Sequence, residues 1–245
     1  MKVVAHRGFC GVYPENTMLS YRQAVLAKCD EIELDVQLTS DGTVVVIHDE
    51  KVDRTTDGVG NVRDYTFKEL QKLNAANLYK DKFAFEAIPS FEEYCEWAKT
   101  VNSTTNVELK TGLVYYPEIE QKTIDIIHRF GLEKKVMFSS FNHLSLITTK
   151  KIAPEIPVGA LVDHVGLVNA GYYCAKYGFE FYHPGYKGLN DQIVAELKAY
   201  HIGMNVWTVN GMAELEQLYQ WGVNGVISNY PSVCRHYLDG LRKQV

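Results

Sequence analysis

Residues 31–50 read EIELDVQLTSDGTVVVIHDE and hold two strand-forming runs with a short turn between them. The first run spans 31–39, the second spans 43–48, and only Ser40-Asp41-Gly42 separates them. Parallel neighbours in a sheet need a connection of about a dozen residues or more, so the second run must return antiparallel. We therefore predict a β-hairpin with Asp41-Gly42 at its tip.

The predicted hairpin determines which side chains meet at its open end. Counting down the ladder sets Ile47 near Asp35, to within about one residue of register, and His48 then lies near Leu34. Glu33 and Asp35 are two residues apart in a strand, so their side chains point to the same face. The hairpin is therefore expected to bring His48 beside two carboxylates.

Seven further strand-forming runs occur along the chain, and together with 31–36 they make eight. The seven are 3–6, 106–110, 135–140, 157–162, 180–183, 203–209 and 225–228. Stretches with helical periodicity lie between most of them. Strands that alternate with helices form a parallel sheet, because each crossover needs a helix to return the chain. The sequence therefore predicts an α/β fold in which 43–48 is an antiparallel addition.

Capping and helix-stop residues mark several helix boundaries. The predicted boundaries are Asn16 or Thr17 before a helix over 18–28, Pro117 as a first helical residue with Gly131 as the stop, Asn190 before a segment that stops at Gly203, and Gly222 as the stop after Trp221. Glu15 and Asn16 are secondary candidates for the functional site.

The alternation lapses between 50 and about 105. This polar stretch contains the run DRTTDG at 53–58, and it is followed by plausible helices over 67–74 and 91–99. We predict that 50–90 is a small insertion that caps one rim of the sheet.

Length and composition favour one domain over 1–245. The chain has 245 residues, 46% of them hydrophobic, and α/β barrels commonly occupy roughly 200–250 residues as one unit. The formal net charge of −5 argues against a nucleic-acid partner. We find no signal peptide and no apolar run near the ~20 residues of a membrane helix, so we expect a soluble, cytoplasmic protein without stable membrane insertion.

Three acidic residues are candidate metal ligands: Glu33, Asp35 and Glu108. If their shared strand face is the inside of a closed sheet, ionised carboxylates there are costly unless a cation offsets them. Converging oxygen donors suit one hard divalent ion such as Mg²⁺ or Ca²⁺. The alternative is that these carboxylates face solvent or pair with lysine and arginine.

His6 and His48 are candidates for acid/base catalysis, because separate strand arguments place each beside the acidic cluster. Arg7 offers a bidentate fork for phosphate, although an ordinary rim salt bridge is the alternative. Lys110 could hold a phosphate oxygen or simply neutralise Glu108.

Trp207 is expected either to fill the core or to form a wall for the apolar carbons of a substrate, the latter because it lies at the end of a strand. The remaining histidines near strand ends are interpreted as surface or rim residues: His143, His164 and His183.

Eight short motifs together resemble the glycerophosphodiester phosphodiesterase family in order and spacing. They are HRG at 6–8, PENT at 14–17, EIELDV at 31–36, VVVIHDE at 44–50, VELK at 107–110, FSSF at 138–141, VWTVN at 206–210 and GVISNYP at 225–231. Each motif alone is weak, but the ordered combination covers essentially the full chain and is specific. One departure is Asn229, where the family often has aspartate.

The resemblance implies a TIM (β/α)8 barrel with a small insertion after the second strand and its hairpin. It implies metal-dependent hydrolysis of a small-molecule glycerophosphodiester to glycerol 3-phosphate and an alcohol. The roles it implies are acid/base catalysis for His6 and His48, metal binding for Glu33, Asp35 and Glu108, and phosphate contact for Arg7 and Lys110.

Three alternatives remain at this stage. The nucleophile is either water or the glycerol 2-hydroxyl, which would form a transient cyclic phosphate. The substrate could instead be a lipid, as for phospholipase D-like or lysophospholipase D enzymes, although the sequence shows no exposed aromatic or amphipathic docking segment. A non-catalytic binder of phosphorylated ligands is disfavoured, because binding alone does not require a pair of histidines.

Overall fold

A computed structural model describes residues 1–242, and nine strands within that range form one sheet. The strands are β1 Lys2–Ala5, β2 Glu31–Leu38, β3 Val44–Val46, β4 Thr104–Leu109, β5 Val136–Ser140, β6 Val158–Val162, β7 Phe181–Pro184, β8 Gly203–Val206 and β9 Gly225–Ser228. Their order is β1-β9-β8-β7-β6-β5-β4-β2-β3, and β1 also pairs with β2. All pairs except β2 with β3 are parallel, so eight strands close into a barrel.

Helices follow the strands around the outside of the barrel. Within residues 1–242 they are α1 Met18–Leu26, α2 Phe67–Leu70, α3 Phe91–Ala98, α4 Ile119–Phe130, α5 His143–Ile152, α6 Ala170–Tyr177, α7 Asp191–Ala199, α8 Met212–Trp221 and α9 Pro231–Arg242. The prediction of a (β/α)8 barrel is confirmed. None of the helices in the described part of the chain has the length and hydrophobicity of a membrane span.

Most of the predicted helix boundaries are present. The Thr17 side chain accepts a hydrogen bond from the backbone N–H of Ser20 and caps α1, and Asn190 caps α7 in the same way. Gly131 and Gly222 take left-handed conformations after α4 and α8, where glycine is favoured because it has no Cβ.

Three helix predictions differ from the structure. Pro117 lies in the turn before α4, because Glu118 adopts a left-handed backbone with φ of 64° and the helix begins after it. The α7 helix ends well before Gly203, because His201 takes the left-handed position and Ile202 N–H turns back to the Leu197 carbonyl. The predicted helix over 67–74 is a single turn, α2.

The hairpin follows the predicted register. Val36 is paired with Val46, and the Ile47 N–H donates to the Asp35 carbonyl at 3.1 Å. β2 is eight residues long and β1 only four, and the first two residues of β2 pair with β1 whereas its last three pair with β3. The strand β3 therefore extends the sheet only at the carboxyl end of β2.

Every residue of β2 is buried, on both faces of the strand. Ile32, Leu34 and Val36 belong to the main hydrophobic core between the barrel wall and the helices. Glu33 and Asp35 alternate with them and project into the barrel. The strand therefore buries its carboxylates as a direct consequence of its two-residue period.

The stretch that follows the hairpin packs on β3 through a second, smaller apolar cluster. That cluster comprises Val45, Ile47, Val52, Val62, Leu70, Ala75 and Ile88. The Val46 N–H also donates to the Pro89 carbonyl, so the outer edge of β3 is covered. The position of the hairpin is thus supported from both sides.

Candidate active site

The predicted site residues lie at or just beyond the carboxyl ends of four barrel strands and of β3. Glu33 and Asp35 lie in β2, Glu108 lies in β4, His6 and Arg7 follow β1, His48 follows β3, Lys110 follows β4, and Trp207 follows β8. Catalytic groups of α/β barrels are found at this end of the barrel, because its loops are free to vary there.

A cleft opens at the centre of this end. Six of the predicted residues line it: His6, Arg7, Glu33, His48, Glu108 and Trp207. Asp35 and Lys110 lie behind them. The rest of the lining was not predicted and comes from Asn106, Ser139, Phe141, Leu161, Thr208 and Ile227.

His6 is held by a neutral side chain. Its Nδ1 lies 2.6 Å from Oδ1 of Asn229, so Nδ1 carries the proton and donates it to the amide oxygen. Burial and the positive charge of Arg7 lower the pKa of His6 to about 4. The ring is therefore neutral at neutral pH, with Nε2 able to accept a proton.

His48 is held by a charged side chain. Its Nδ1 donates to Oδ1 of Asp49 at 2.5 Å, and Nζ of Lys110 donates to its Nε2 at 3.1 Å. Hydrogen bonds from His48 and Arg54 hold the pKa of Asp49 well below its usual range, against the effect of partial burial. Two opposite charges thus fix the tautomer and the plane of the ring.

Gln37 holds the backbone around His48. Its side-chain amide donates to the carbonyls of Ile47 at 3.0 Å, of His48 at 3.0 Å and of Asp49 at 2.8 Å. The Tyr116 hydroxyl in turn donates to the Gln37 side-chain oxygen at 2.8 Å. Because Gln37 is fully buried on β2, the sheet itself sets the position of the residue that leaves the hairpin.

The three acidic side chains converge as predicted. One oxygen from each of Glu33, Asp35 and Glu108 lies within 4.8 Å of the others, and all three residues are buried. Burial and the neighbouring carboxylates raise the pKa of Glu33 well above its usual value, and the same causes raise the pKa of Glu108. The cluster holds more negative charge than its surroundings offset.

The pKa of Asp35 is shifted in the opposite direction from those of Glu33 and Glu108. Burial opposes its ionisation, but the electrostatic effects of His48, Lys110 and Arg7 and the hydrogen bond from Asn16 outweigh burial and hold its pKa well below the usual range. Its Oδ2 accepts from the Asn16 amide at 2.8 Å. Its Oδ1 is buried without a hydrogen-bond partner among residues 1–242.

These features fit a divalent cation. The donors are hard carboxylate oxygens, which Mg²⁺ and Ca²⁺ prefer, and one buried oxygen lacks a partner within the described chain. A bound cation would also relieve the repulsion that raises the pKa values of Glu33 and Glu108.

Arg7 and Lys110 both take part in ion pairs at the edge of the cleft. Arg7 Nη1 donates to Glu15 at 2.9 Å, and Lys110 Nζ donates to Glu108 at 2.9 Å. The ion pairs considered as alternatives are therefore present. Both side chains remain partly exposed, at 16% and 12%, and stay within reach of the cleft.

A tight turn carries Arg7 from β1 back toward β2. Arg7 and Gly8 have positive φ angles of 50° and 79°, and the Ser20 hydroxyl donates to the Arg7 carbonyl at 2.7 Å. A Cβ at Gly8 would lie 1.9 Å from the Ser20 hydroxyl oxygen, so only glycine fits. The same turn lets the Arg7 N–H donate to Glu33 at 2.8 Å.

The PENT motif supplies three separate supports. Glu15 pairs with Arg7, the Asn16 amide holds Asp35, and Thr17 caps α1. Of the two capping residues considered in the sequence, Thr17 is therefore the cap. The supporting role of Glu15 and Asn16 is clearer in the structure than in the sequence.

Aromatic rings form the opposite wall of the cleft. Trp207 makes an edge-to-face contact with Phe141 at 5.6 Å between ring centroids, and the His164 ring lies 5.3 Å from the Trp207 ring. The indole N–H of Trp207 donates to the His183 carbonyl at 2.8 Å, which fixes the ring. Trp207 lines the cleft and is not part of the sealed core.

The interpretation of His183 as a surface or rim residue is wrong. His183 lies on β7 and is completely buried. Successive side chains of a strand point to opposite faces, and that of His183 points into the barrel. Burial lowers its pKa to about 3. His164 does lie at the rim, whereas His143 is half-buried between Tyr173 and the Leu161 carbonyl.

The model of the glycerophosphoryl diester phosphodiesterase family matches residues 6–233. The chain belongs to this family. A glycerophosphodiester phosphodiesterase of Caldanaerobacter subterraneus subsp. tengcongensis is 41% identical over 94% of each chain. A glycerophosphodiester phosphodiesterase of Bacillus altitudinis is 38% identical over 94% of this chain and 95% of its own. The predicted family is confirmed, and with it the assignment to the phosphodiesterase class of enzymes.

Solved structures of phosphodiesterases share the fold. An Oleispira antarctica phosphodiesterase in complex with the product sn-glycerol-3-phosphate superimposes with a TM-score of 0.87 at 29% identity, covering 98% of this chain and 97% of its own. The glycerophosphodiester phosphodiesterase of Thermotoga maritima superimposes with a TM-score of 0.78 at 26% identity, covering 95% and 96%. Members of the glycerophosphoryl diester phosphodiesterase family thus share this barrel over nearly the whole chain.

Two kinds of site residue escaped sequence reasoning. Phe141 and Ser139 lie in the FSSF motif, which carried the resemblance but suggested no role. Arg54 lies in the polar run at 53–58, where a cation among hydrophilic residues reads as a solvated loop. Its contacts become visible only when the chain is folded.

Proposed function

We propose that the protein hydrolyses glycerophosphodiesters to glycerol 3-phosphate and an alcohol, with a divalent cation and two histidines. The observation that carries the proposal is the single cleft lined by His6, His48, Glu33 and Glu108. A neutral histidine and a charge-supported histidine can serve as a proton acceptor and a proton donor in one reaction. A protein that only bound phosphate would need positive charge but not this pair.

A phosphodiester resists attack because its own negative charge repels nucleophiles. We assign Arg7 and Lys110 to the phosphate, where their charges would spread the negative charge that develops during displacement. A divalent cation held by Glu33, Asp35 and Glu108 would supply further positive charge at the phosphoryl group. Either Mg²⁺ or Ca²⁺ suits these oxygen ligands.

Proton transfer is assigned to the two imidazoles. One removes the proton from the nucleophile, and the other gives a proton to the oxygen of the leaving alcohol, so that no free alkoxide forms. The nucleophile is either water or the glycerol 2-hydroxyl, and the second route passes through a cyclic phosphate that water opens. Observation of a transient cyclic phosphate by ³¹P NMR would establish the second route.

The aromatic wall is assigned to the carbon atoms of the substrate. Trp207 and Phe141 face the charged side across a narrow cleft. Rings at this distance would exclude water and limit the shape of the group bound there.

The decisive experiment is a panel of substrates with an enzyme-coupled assay for glycerol 3-phosphate. The panel contains glycerophosphocholine, glycerophosphoethanolamine, glycerophosphoglycerol and a lysophospholipid, each with Mg²⁺ and with Ca²⁺. We expect release of glycerol 3-phosphate from at least one of the three small diesters. No release from any of them, by protein that is folded and loaded with metal, would refute the proposed function.

A second candidate substrate class is the lysophospholipids, and the structure supplies an observation in its favour. Four apolar residues on loops after β4 and β6 are each more than four-fifths exposed: Leu113, Tyr115, Val165 and Val168. These loops surround the mouth of the cleft. No exposed docking surface was predicted from the sequence, because short apolar runs such as GLVYY at 112–116 and VGLV at 165–168 occur in buried segments as well.

The two candidates can be separated by one substitution and its control. Leu113→Ser with Tyr115→Ser should reduce turnover of the lysophospholipid and leave glycerophosphocholine unaffected if the rim contacts acyl chains. Leu26 is also exposed, at 72%, but it ends α1 at the other end of the barrel. Leu26→Ser should therefore change neither activity.

A further inference from the structure

Arg54 lies outside the barrel and hydrogen-bonds Glu15 and Asp49, the two carboxylates that hold Arg7 and His48. Its Nη2 donates to Oε1 of Glu15 at 2.7 Å and to Oδ1 of Asp49 at 3.1 Å. Its Nη1 donates to Oε2 of Glu15 at 2.9 Å, and its Nε donates to Oδ2 of Asp49 at 2.6 Å. One guanidinium thus forms two hydrogen bonds with each of two carboxylates.

The oxygens that Arg54 contacts are those that hold the site. Oε1 of Glu15 also accepts from Arg7, and Oδ1 of Asp49 also accepts from His48. Nη2 of Arg54 therefore lies next to the two oxygen atoms that orient Arg7 and His48. Arg54 thereby links Glu15, which follows β1, to Asp49, which follows the hairpin.

The geometry requires an arginine. A guanidinium presents its N–H groups in a planar fork, so it can pair with two carboxylates at once, whereas a lysine ammonium acts as one point charge. The Arg54 side chain is 42% exposed, so its ion pairs contribute little to the stability of the fold. The arrangement is better explained by what it positions than by what it stabilises.

We propose that Arg54 is a positioning residue that sets Arg7 through Glu15 and His48 through Asp49. This proposal rests on the proposed function, since it assigns Arg7 to substrate binding and His48 to proton transfer. Arg54 itself does not line the cleft. Arg54 acts on turnover through Asp49, which holds His48, and on substrate binding through Glu15, which holds Arg7.

The test begins with Arg54→Ala. Loss of the fork should free both carboxylates, so kcat should fall on the order of 10-fold to 100-fold and KM should rise several-fold. Asp49→Asn should reproduce mainly the fall in kcat, and Glu15→Gln mainly the rise in KM. In the double variant Arg54→Ala with Asp49→Asn, kcat should fall no further than in Asp49→Asn alone.

Two further variants separate positioning from general damage. Arg54→Lys should recover only part of the activity, and added guanidinium should rescue Arg54→Ala but not Arg54→Lys. The matched control is Arg63→Ala, because Arg63 lies on the same stretch, is 58% exposed, and approaches Asp64 only at 4.0 Å. Arg63→Ala should leave kcat and KM unchanged.

A readout independent of turnover completes the test. The Nδ1 proton of His48, held by Asp49, should give a strongly downfield ¹H NMR signal in the intact protein, and Arg54→Ala should broaden or shift it. Unchanged kinetics together with an unchanged signal in Arg54→Ala would overturn the proposal. If the signal changes but the intact protein releases no glycerol 3-phosphate, the proposed function fails while the positioning by Arg54 stands.

Discussion

The two sides of the cleft are built in opposite ways. On the side of β1, β2 and the hairpin, each titratable side chain is held by another polar side chain: His6 by Asn229, His48 by Asp49, Asp35 by Asn16. On the side of β5 to β8, aromatic rings pack against each other, and Trp207 makes its hydrogen bond to a backbone carbonyl. The charged side needs fixed directions, because a misaligned donor or acceptor cannot transfer a proton. The aromatic side needs only shape.

Removal of the metal should produce the largest effect, and it should act on the charged side. We expect EDTA to reduce activity to background and added Mg²⁺ or Ca²⁺ to restore it, because the acidic cluster is otherwise poorly offset. Full activity after verified metal removal would exclude the cation from the reaction.

The proposed metal ligands have a matched control on the same strand. Glu33→Gln should weaken Mg²⁺ binding measured by titration calorimetry. Glu31 is also buried on β2, but it pairs with Lys2 at the other end of the barrel. Glu31→Gln should leave Mg²⁺ binding unchanged, and equal weakening by both substitutions would argue against a site at Glu33.

The next largest effect should come from the histidines of the charged side. His6→Ala and His48→Ala should each lower kcat by about 10²-fold to 10⁴-fold in the coupled assay, while circular dichroism shows an intact fold. His128 is exposed on α4 and pairs with Glu155, so His128→Ala is a suitable control. Near-normal turnover by either site variant would remove that histidine from the mechanism.

A smaller effect is expected from the aromatic side. Trp207→Ala should raise KM for a small diester about 10-fold and change kcat less, because the ring supplies shape and apolar contact but no proton. Trp221→Ala is the control, since Trp221 ends α8 and hydrogen-bonds Asp191 on the outer surface. If kcat fell as far as in His48→Ala, the division of the cleft into two functions would be wrong.

The smallest effect should be on stability, from His183 beneath the aromatic side. The pKa of a histidine is ordinarily 6.5, and that of His183 is about 3 in the fold, so between these pH values the unfolded chain binds a proton that the folded chain does not. This contribution to stability is fully present above pH 6.5 and is lost as the pH falls toward 3. The slope is about 1.4 kcal/mol per pH unit.

Urea unfolding at about pH 7.5 and about pH 5 would measure this contribution. The stability advantage of the intact protein over His183→Gln should shrink at the lower pH, because the variant lacks the titrating ring. An advantage that stayed constant between the two pH values would show that His183 does not resist protonation.

The fold could be predicted from the sequence because its signals are local. Three residues between two strand runs permit only a hairpin, and that constraint placed Ile47 against Asp35. The alternation within β2 likewise put Glu33 and Asp35 on one face. The two-residue alternation of a strand and the short length of a turn can both be recognised in the sequence without knowing how the chain packs.

The supports of the site could not be predicted, because they depend on where distant segments meet. Arg54 and Glu15 are 39 residues apart in the chain, and His6 and Asn229 are 223 apart. His183 was misplaced for a related reason, since a polar residue near a strand end reads as exposed until the barrel closes over it. Contacts between remote segments require the three-dimensional structure.

The unequal lengths of β1 and β2 allow an extra strand to be added at the rim of the barrel. In a barrel whose neighbouring strands were equally long, the backbone N–H and C=O groups of every strand would already be hydrogen-bonded to neighbouring strands. Additional functional side chains could then be carried only by the loops. Here β2 is twice as long as β1, and β3 pairs with the part of β2 that extends beyond β1. His48 comes two residues after the last residue of β3, so the backbone pairing of β3 with β2 sets where the segment that carries this histidine begins.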